Sequence, residues 1–259
     1  EIALLVDGIA GETQDFLNKF YDVLAEKVFN VAKEKHRFQI KKEFVSRSGI
    51  WIAKKRYAQW IVAENGIPMD RLDVKGLDVV RSSYPAEFRK FMSEVLIQIL
   101  KGDGEDILTD KIQAFKKALS KMDVTSIAKN SAVKELSKYM PKKPTAMFQF
   151  ASATPAHVKA AIAHNQLLVH FKCPAKYEPM RDGDKVKWVY LKQNPYGLEG
   201  LAFKGYNDAP EIMELVTNYI DCDKIFEREL LKKLEDFYGA LGWGDVLSAA
   251  KTAEKFFSF

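Results

Sequence analysis

The sequence predicts an α+β protein: a small antiparallel sheet with a long helix, followed by a mainly helical region that carries a small β element. Three observations predict it. From Gly11 to about Lys35 apolar residues recur at helical spacing, with Leu17, Phe20, Tyr21, Leu24, Val28 and Val31 on one face and Lys19, Glu26 and Lys33 opposite. Between residues 38 and 63 the period shortens to the alternation of strands. Beyond Pro85 the apolar stripes return to helical spacing, with one clear alternating run at Lys185–Leu191.

Taken in order, residues 1–9 read as a short apolar strand or extended arm, and the helix after Gly11 presents a face expected to be core. Phe38–Val45 reads as a strand, Ser46-Arg47-Ser48-Gly49 as a turn and Ile50–Val62 as the return strand. Glu64-Asn65-Gly66-Ile67-Pro68 carries the signals of a second turn. A short extended section, Leu72–Val80, then leads through Arg81-Ser82-Ser83-Tyr84 to Pro85, which suits the first turn of a helix. Phe88, Phe91, Met92, Val95, Leu96 and Ile99 line that helix until Lys101-Gly102 stops it.

A further helix over Ile107–Met122 points Ile112, Phe115 and Leu119 inward. Asp123–Pro144, with Lys129, Lys134, Lys138, Lys142 and Lys143, reads as a basic connector holding a short helix. Thr154 is the expected N-cap, and Pro155 the first residue, of a helix running to Leu168. Asn194-Pro195-Tyr196-Gly197 turns; Pro210–Ile220 and Asp223–Gly239 are helices. The expected division is 1–83, 84–245 and a tail, 246–259, ending Phe256-Phe257-Ser258-Phe259.

At 259 residues the chain can bury a sizeable core, and 47% hydrophobic with 29% charged residues is ordinary globular composition. A net charge of +5 permits a polyanionic partner without demanding one. No apolar run is long enough to span a membrane, and the first residues lack the pattern of a signal peptide. Two distant cysteines, Cys173 and Cys222, fit a reducing, cytoplasmic setting. The first residue is not methionine, so residues that precede it are expected.

The chemical signal lies in the middle of Ile50–Val62. Lys54-Lys55-Arg56 breaks the strand alternation, so at least one cation must face the packed side or a groove. An unpaired buried charge is costly, and a polyanion in that groove removes the cost. Arg81, Ser82 and Ser83 precede a helix start, and His157 and Lys159 lie in the first turns of another, both suited to a phosphate; ordinary capping accounts for the first group equally well, and a solvated first turn for the second. His170 and Cys173 have no second pair to complete a zinc site. Gly102-Asp103-Gly104 lacks the context of a phosphate loop, and no Gly-x-Ser-x-Gly elbow occurs.

Lys54-Lys55-Arg56-Tyr57-Ala58 resembles the KKRYA signature of family B DNA polymerases. Lys75–Pro85 resembles the segment that joins palm to thumb in that family, most closely in its T-even-like phage branch. Thr154–Ala161 resembles the thumb's Pro-x-His element, and Asn194–Gly197 a turn of the phage thumb. The family's Asp-x-x-Ser-Leu-Tyr-Pro, Tyr-Gly-Asp-Thr-Asp and fingers motifs are not in the sequence, and Asp7 in Val6-Asp7-Gly8 does not match them.

The resemblance implies the end of a palm (1–83), a thumb (84–245) and a tail whose Phe256, Phe257 and Phe259 insert into a sliding clamp. Burying each phenylalanine contributes about 1.5–3 kcal/mol, enough for three to form a micromolar anchor. It further implies that Lys54, Lys55, Arg56 and Tyr57 hold the primer strand, with Arg81, Ser82, Ser83, His157 and Lys159 on phosphates of the primer–template duplex. Two-metal phosphoryl transfer needs paired carboxylates. Hence no cofactor is expected in this chain, Mg2+ being expected only in the complete polymerase, and the isolated chain is expected to be inactive. The expected partners are duplex DNA, the N-terminal polymerase portion and the clamp, in the host cytoplasm if the gene is a phage's. Two rivals are a structural subunit of a split polymerase with little DNA affinity and an unrelated enzyme.

Overall fold

The computed structural model describes residues 2–140, 147–244 and 246. As expected, it is α+β, 48% helical, with two small antiparallel three-stranded sheets. The chain divides into two compact units: residues up to Leu77 with Ile99–Gly102, and Asp78–Gln98 with the residues from Asp103 onward.

The first unit opens with α1, Ile2–Phe29. Residues 2–9 are therefore helix and not an extended arm; a short apolar run fits either period, and Gly8 and Gly11 cost the helix only about 1 kcal/mol each. The helix stops before Lys35 because Asn30 turns left-handed at φ 52° and the Val31 amide donates back to the Ala25 carbonyl at 2.9 Å. Its apolar face is not core. Ala25 is buried, but Phe20 and Val28 expose 50% and 63% of their surface.

Phe38–Lys42 is not the expected strand. The Ile40 amide donates to Asn18 Oδ1 at 2.8 Å, the Asn18 side chain returns a bond to the Ile40 carbonyl at 2.9 Å, and the Lys42 amide donates to Gln14 at 2.6 Å. Side chains of α1 thus supply the partners that a neighbouring strand would.

The sheet order is β1 (Phe44–Ala53), β2 (Arg56–Glu64), β3 (Ile67–Lys75). Ser46-Arg47-Ser48-Gly49 is not a turn but lies inside β1, where the register slips between Ser46 and Ser48; the small polar residues mark a β-bulge. The reversal falls instead at Lys54-Lys55, between the paired residues Ala53 and Arg56, with Lys55 left-handed at φ 63°. Ile50–Val62 is therefore two strands and a turn. The cation run breaks alternation because the chain turns there, so no lysine is forced into the packed side. Asn65-Gly66 forms the second hairpin as expected, both at positive φ.

A polar relay crosses all three strands. Ser46 Oγ donates to Gln59 Oε1 at 2.8 Å, and Gln59 Nε2 donates to buried Asp73 at 3.2 Å. Burial pushes the Asp73 carboxyl up, but Gln59, Lys75 and Arg71 outweigh it and hold it below the usual range. The extended section ends at Lys75, and Asp78–Val80 closes as a 3-10 turn. Between them Gly76, at φ +66°, brings its backbone against the hairpin: a Cβ there would lie 2.1 Å from the Lys55 carbonyl oxygen.

The second unit begins with α2 (Ala86–Lys101, whose last turn belongs to the first unit) and α3 (Glu105–Leu119). The predicted stripe from Phe88 to Ile99 is buried, as are Ile112, Phe115 and Leu119; Phe91 and Phe115 stack at 4.2 Å. The region expected to be a connector holds α4 (Val124–Ile127), strand β4 (Lys129–Ala132) and α5 (Leu136–Tyr139). The missed strand is too short and polar to show alternation. It pairs with β5 (Lys185–Tyr190), which pairs with β6 (Gly200–Phe203), also unpredicted.

Helix α6 (Ala156–His170) covers this sheet through Val158, Ala161 and Ile162, with Trp188 and Val186 opposite. Its N-cap is Pro155 and not Thr154, whose hydroxyl donates to the Ala151 carbonyl at 2.6 Å and so is turned away from the helix. Helix α7 (Pro210–Tyr219) follows, then α8 (Cys222–Phe226), which continues through a π turn (Glu227–Leu231) into α9 (Lys232–Leu241).

Glu229 in that π turn is 3% exposed. Its carboxylate takes Lys129 at 2.7 Å and Lys233 at 3.4 Å, and its carbonyl accepts the Tyr84 hydroxyl. Lys233 also reaches Asp78 at 3.1 Å and lies 3.8 Å from the Tyr84 ring centre. Burial, then the Glu229 and Asp78 charges, push the Tyr84 phenol well up, so it stays a donor.

Two predictions follow from these constraints. Gly76→Ala places a β-carbon against backbone at a left-handed position, and its expected cost is about 1–3 kcal/mol in chemical denaturation. His164 is 2% exposed, its Nδ1 donates to the Ala202 carbonyl at 2.9 Å, and burial lowers its pKa. The unfolded chain gains that proton first, so stability is complete above about pH 6.5 and falls as pH drops below it. A His164→Gln variant is expected to show a shallower fall in thermal midpoint between about pH 6.5 and 5 than the parent chain.

Candidate nucleic-acid interface

In the first unit the hairpin turn presents its cations outward. Lys54 and Lys55 are exposed and have no carboxylate partner among the described residues, while Arg56 and Tyr57 are half-buried. Tyr57 stands opposite Trp51 on β1 and Lys75 on β3, and directly paired residues share a face of a sheet. Trp51 exposes 63% of its surface beside the turn. Its indole lies along the strand because Gly49 has no side chain: a Cβ there would meet the ring at 2.5 Å. Two exposed ammoniums on a turn suit a polyanion, and an exposed indole on the same hairpin, lying back over Gly49, suits a flat base. Sequence reading passed over Trp51 because it counted as one more apolar strand residue; its signal was proximity to the cation run.

The second unit has a cleft of about 390 Å³ where Ser82 and Ser83 meet β4 and β5. The Asn130 amide donates to the Ser83 carbonyl at 3.3 Å and its side chain to the Ser82 carbonyl at 3.4 Å, fixing the loop to the strand edge. Lys185, Lys187 and Lys204 line the same cleft, and among the described residues no carboxylate does. Lys185 is exposed; Lys187 donates to the Thr125 carbonyl at 2.6 Å; Lys204 lies 3.4 Å from Glu178. Hydroxyls, an amide and ammoniums in one cleft match the donors that hold phosphates. These three lysines were unreadable as a group from sequence, because they come from a strand and a loop far from Ser82.

The other expected phosphate ligands fare differently. Arg81 does not line the cleft, and its guanidinium is 2.9 Å from Asp78. His157 is the second residue of α6, where burial, then the Lys129 charge, lower its pKa; it is a neutral donor near pH 7 and not a cation. Lys159 lines a separate cavity, 4.0 Å from Glu199. Phe256, Phe257 and Phe259 lie outside the described residues.

No group of three or more His, Cys, Asp or Glu among the described residues could hold a metal ion, and Asp7 pairs with Lys42 at 2.6 Å. Among the described residues no cluster matches the paired carboxylates of two-metal chemistry. No described helix is long and apolar enough to cross a membrane. Comparison with curated proteins finds none that matches. The sequence pattern of DNA polymerase family B matches residues 8–239, nearly the whole chain and both basic surfaces, and the chain belongs to that family.

Proposed function

We propose that the chain is the C-terminal palm and thumb portion of a phage-type family B DNA polymerase, and that it grips primer–template duplex without catalysing nucleotide transfer alone. The observation that carries the reading is the Lys54–Tyr57 turn: two exposed ammoniums with no carboxylate partner among the described residues, on a rigid hairpin within a family B match. Phosphate contact of this kind positions a duplex without reading its sequence. The Ser82–Ser83 cleft supplies a second set of phosphate donors in the other unit. Mg2+ would enter with the N-terminal portion, whose carboxylate motifs this sequence lacks. The terminal phenylalanines would dock on a sliding clamp, in the cytoplasm of the host cell.

A second reading, a structural subunit of a split polymerase, is favoured by one observation. Leu5, Ile9, Phe16, Phe20 and Val23 on α1 are all exposed, at helical spacing. Such a stripe is the kind of surface that another polymerase segment covers. The two readings differ in what the isolated chain does.

Duplex binding by the isolated chain is expected, with affinity falling steeply with salt, about 0.9 in log–log slope per phosphate neutralised. Lys55→Ala is expected to weaken binding and reduce that slope by about 1 with the thermal midpoint unchanged. Loss of folding with unchanged DNA affinity would sink the reading of the turn. If the parent chain binds duplex only after the N-terminal portion is added, the subunit reading replaces the gripping one. Phe16→Glu with Phe20→Glu is then expected to abolish co-purification with that portion while leaving the isolated chain folded.

A further inference from the structure

Lys159 leads to a second cavity in the same unit, of about 220 Å³. Its walls are Phe148, Phe150, Trp188 and Tyr190, and its charged residues are Lys159, Lys224 and Glu199. Trp188 and Tyr190 meet edge to face at 4.9 Å. A Cβ at Gly200 would lie 2.8 Å from the Val189 carbonyl oxygen and 3.7 Å from the Trp188 ring, so glycine keeps that wall clear of a further side chain, although Trp188 itself is 4% exposed. Each ammonium sits against an aromatic wall: Lys224 Nζ is 5.0 Å from the Tyr190 ring centre and Lys159 Nζ 5.9 Å from that of Phe150. One carboxylate faces two ammoniums, and its pairing with Lys159 is loose at 4.0 Å.

The volume is below the roughly 300–1,000 Å³ of sites for drug-sized ligands, so it suits a single ring system. Aromatic walls favour a flat π-surface, and the net positive charge favours an anion attached to it. We propose that this cavity binds one nucleotide unit, its base among the four aromatic side chains and its phosphate on Lys159 and Lys224. A nucleotide, in place of some other anionic aromatic, is chosen because the chain belongs to a DNA polymerase family; in that one respect the proposal rests on the DNA-gripping reading. The cavity shares no lining residue with the Ser82–Ser83 cleft. The nucleotide comes either free or as an unpaired residue of a DNA strand.

The test is calorimetric titration of the full 259-residue chain with dAMP, inorganic phosphate, blunt duplex and a duplex carrying one unpaired nucleotide. Binding of dAMP is expected, weakened at least about fivefold by Lys224→Gln and by Phe150→Ala, with inorganic phosphate much weaker than dAMP. Thermal melting checks that both variants fold, and blunt-duplex binding is expected to be unchanged in both. Tighter binding of the overhanging duplex than of the blunt one, lost in the same variants, assigns the nucleotide to a strand. Binding of dAMP without that preference assigns it to the free pool. No dAMP binding, equal binding by both variants, or phosphate binding as tight as dAMP overturns the proposal. Failure of blunt duplex to bind while dAMP still does overturns the gripping reading and leaves the cavity standing.

Discussion

The close approach of Gly76 to the Lys55 carbonyl is the constraint on which the first unit's surface depends. Two distant sequence features meet there. One is a turn that needs a left-handed lysine; the other is a glycine, itself left-handed, whose missing side chain lets β3 end against that turn. A left-handed lysine is mildly strained and persists only where its neighbours hold it. Here the ladder on either side, Ala53 with Arg56 and Tyr57 with Lys75, fixes the backbone, and Gly76 closes the third side. The side chains of Lys54 and Lys55 then project from a rigid base, so fixing them in place would order two side chains without ordering a loop.

The second unit answers the same need with charge. The π turn at Glu227–Leu231 widens the helix, and the Tyr84 hydroxyl finds the Glu229 carbonyl there. The Glu229 carboxylate is buried, a costly arrangement unless paired, and Lys129 and Lys233 pair it. Through Tyr84 and Asp78 these bonds reach both ends of the loop that contains Ser82 and Ser83. Lys129 heads β4, whose next residue, Asn130, ties that loop to the sheet. The buried ions therefore act as positioners of a surface cleft in which Lys185 stays exposed while Lys187 and Lys204 are already engaged.

Long periodic elements were legible in the sequence. The stripe from Phe88 to Ile99, the Asn65-Gly66 hairpin, β5 and the Asn194–Gly197 turn are local patterns with local causes, and each stands where it was read. The misses share a different cause: partners supplied from afar. Phe38–Lys42 alternates like a strand, yet its backbone bonds to Asn18 and Gln14 of α1. Polar β4 is a strand only because β5 lies beside it. The cation run was read correctly as a break in alternation, but the break was a turn and not a buried charge. Of the candidate residues, Lys54 and Lys55 in the first unit and Ser82 and Ser83 in the second could be named from motifs, whereas Trp51 and Lys185, Lys187 and Lys204 needed the fold of their own unit to collect them.

A net charge of +5 spread over 40 basic and 35 acidic residues says little about partners. What discriminates is which cations are already engaged. Lys42, Arg71, Lys75, Arg81, Lys129 and Lys233 each have a carboxylate within 4.0 Å, so their charge largely serves the fold. Lys54, Lys55 and Lys185 are exposed and have none among the described residues. An engaged ammonium must give up its carboxylate before it can neutralise a phosphate, whereas an unpaired one exchanges only counterions and water. By this measure Lys54, Lys55 and Lys185 are among the cations open to an anion, as are other exposed ones such as Lys19, Arg47 and Lys121, and Lys54 and Lys55 stand out in being adjacent on one turn.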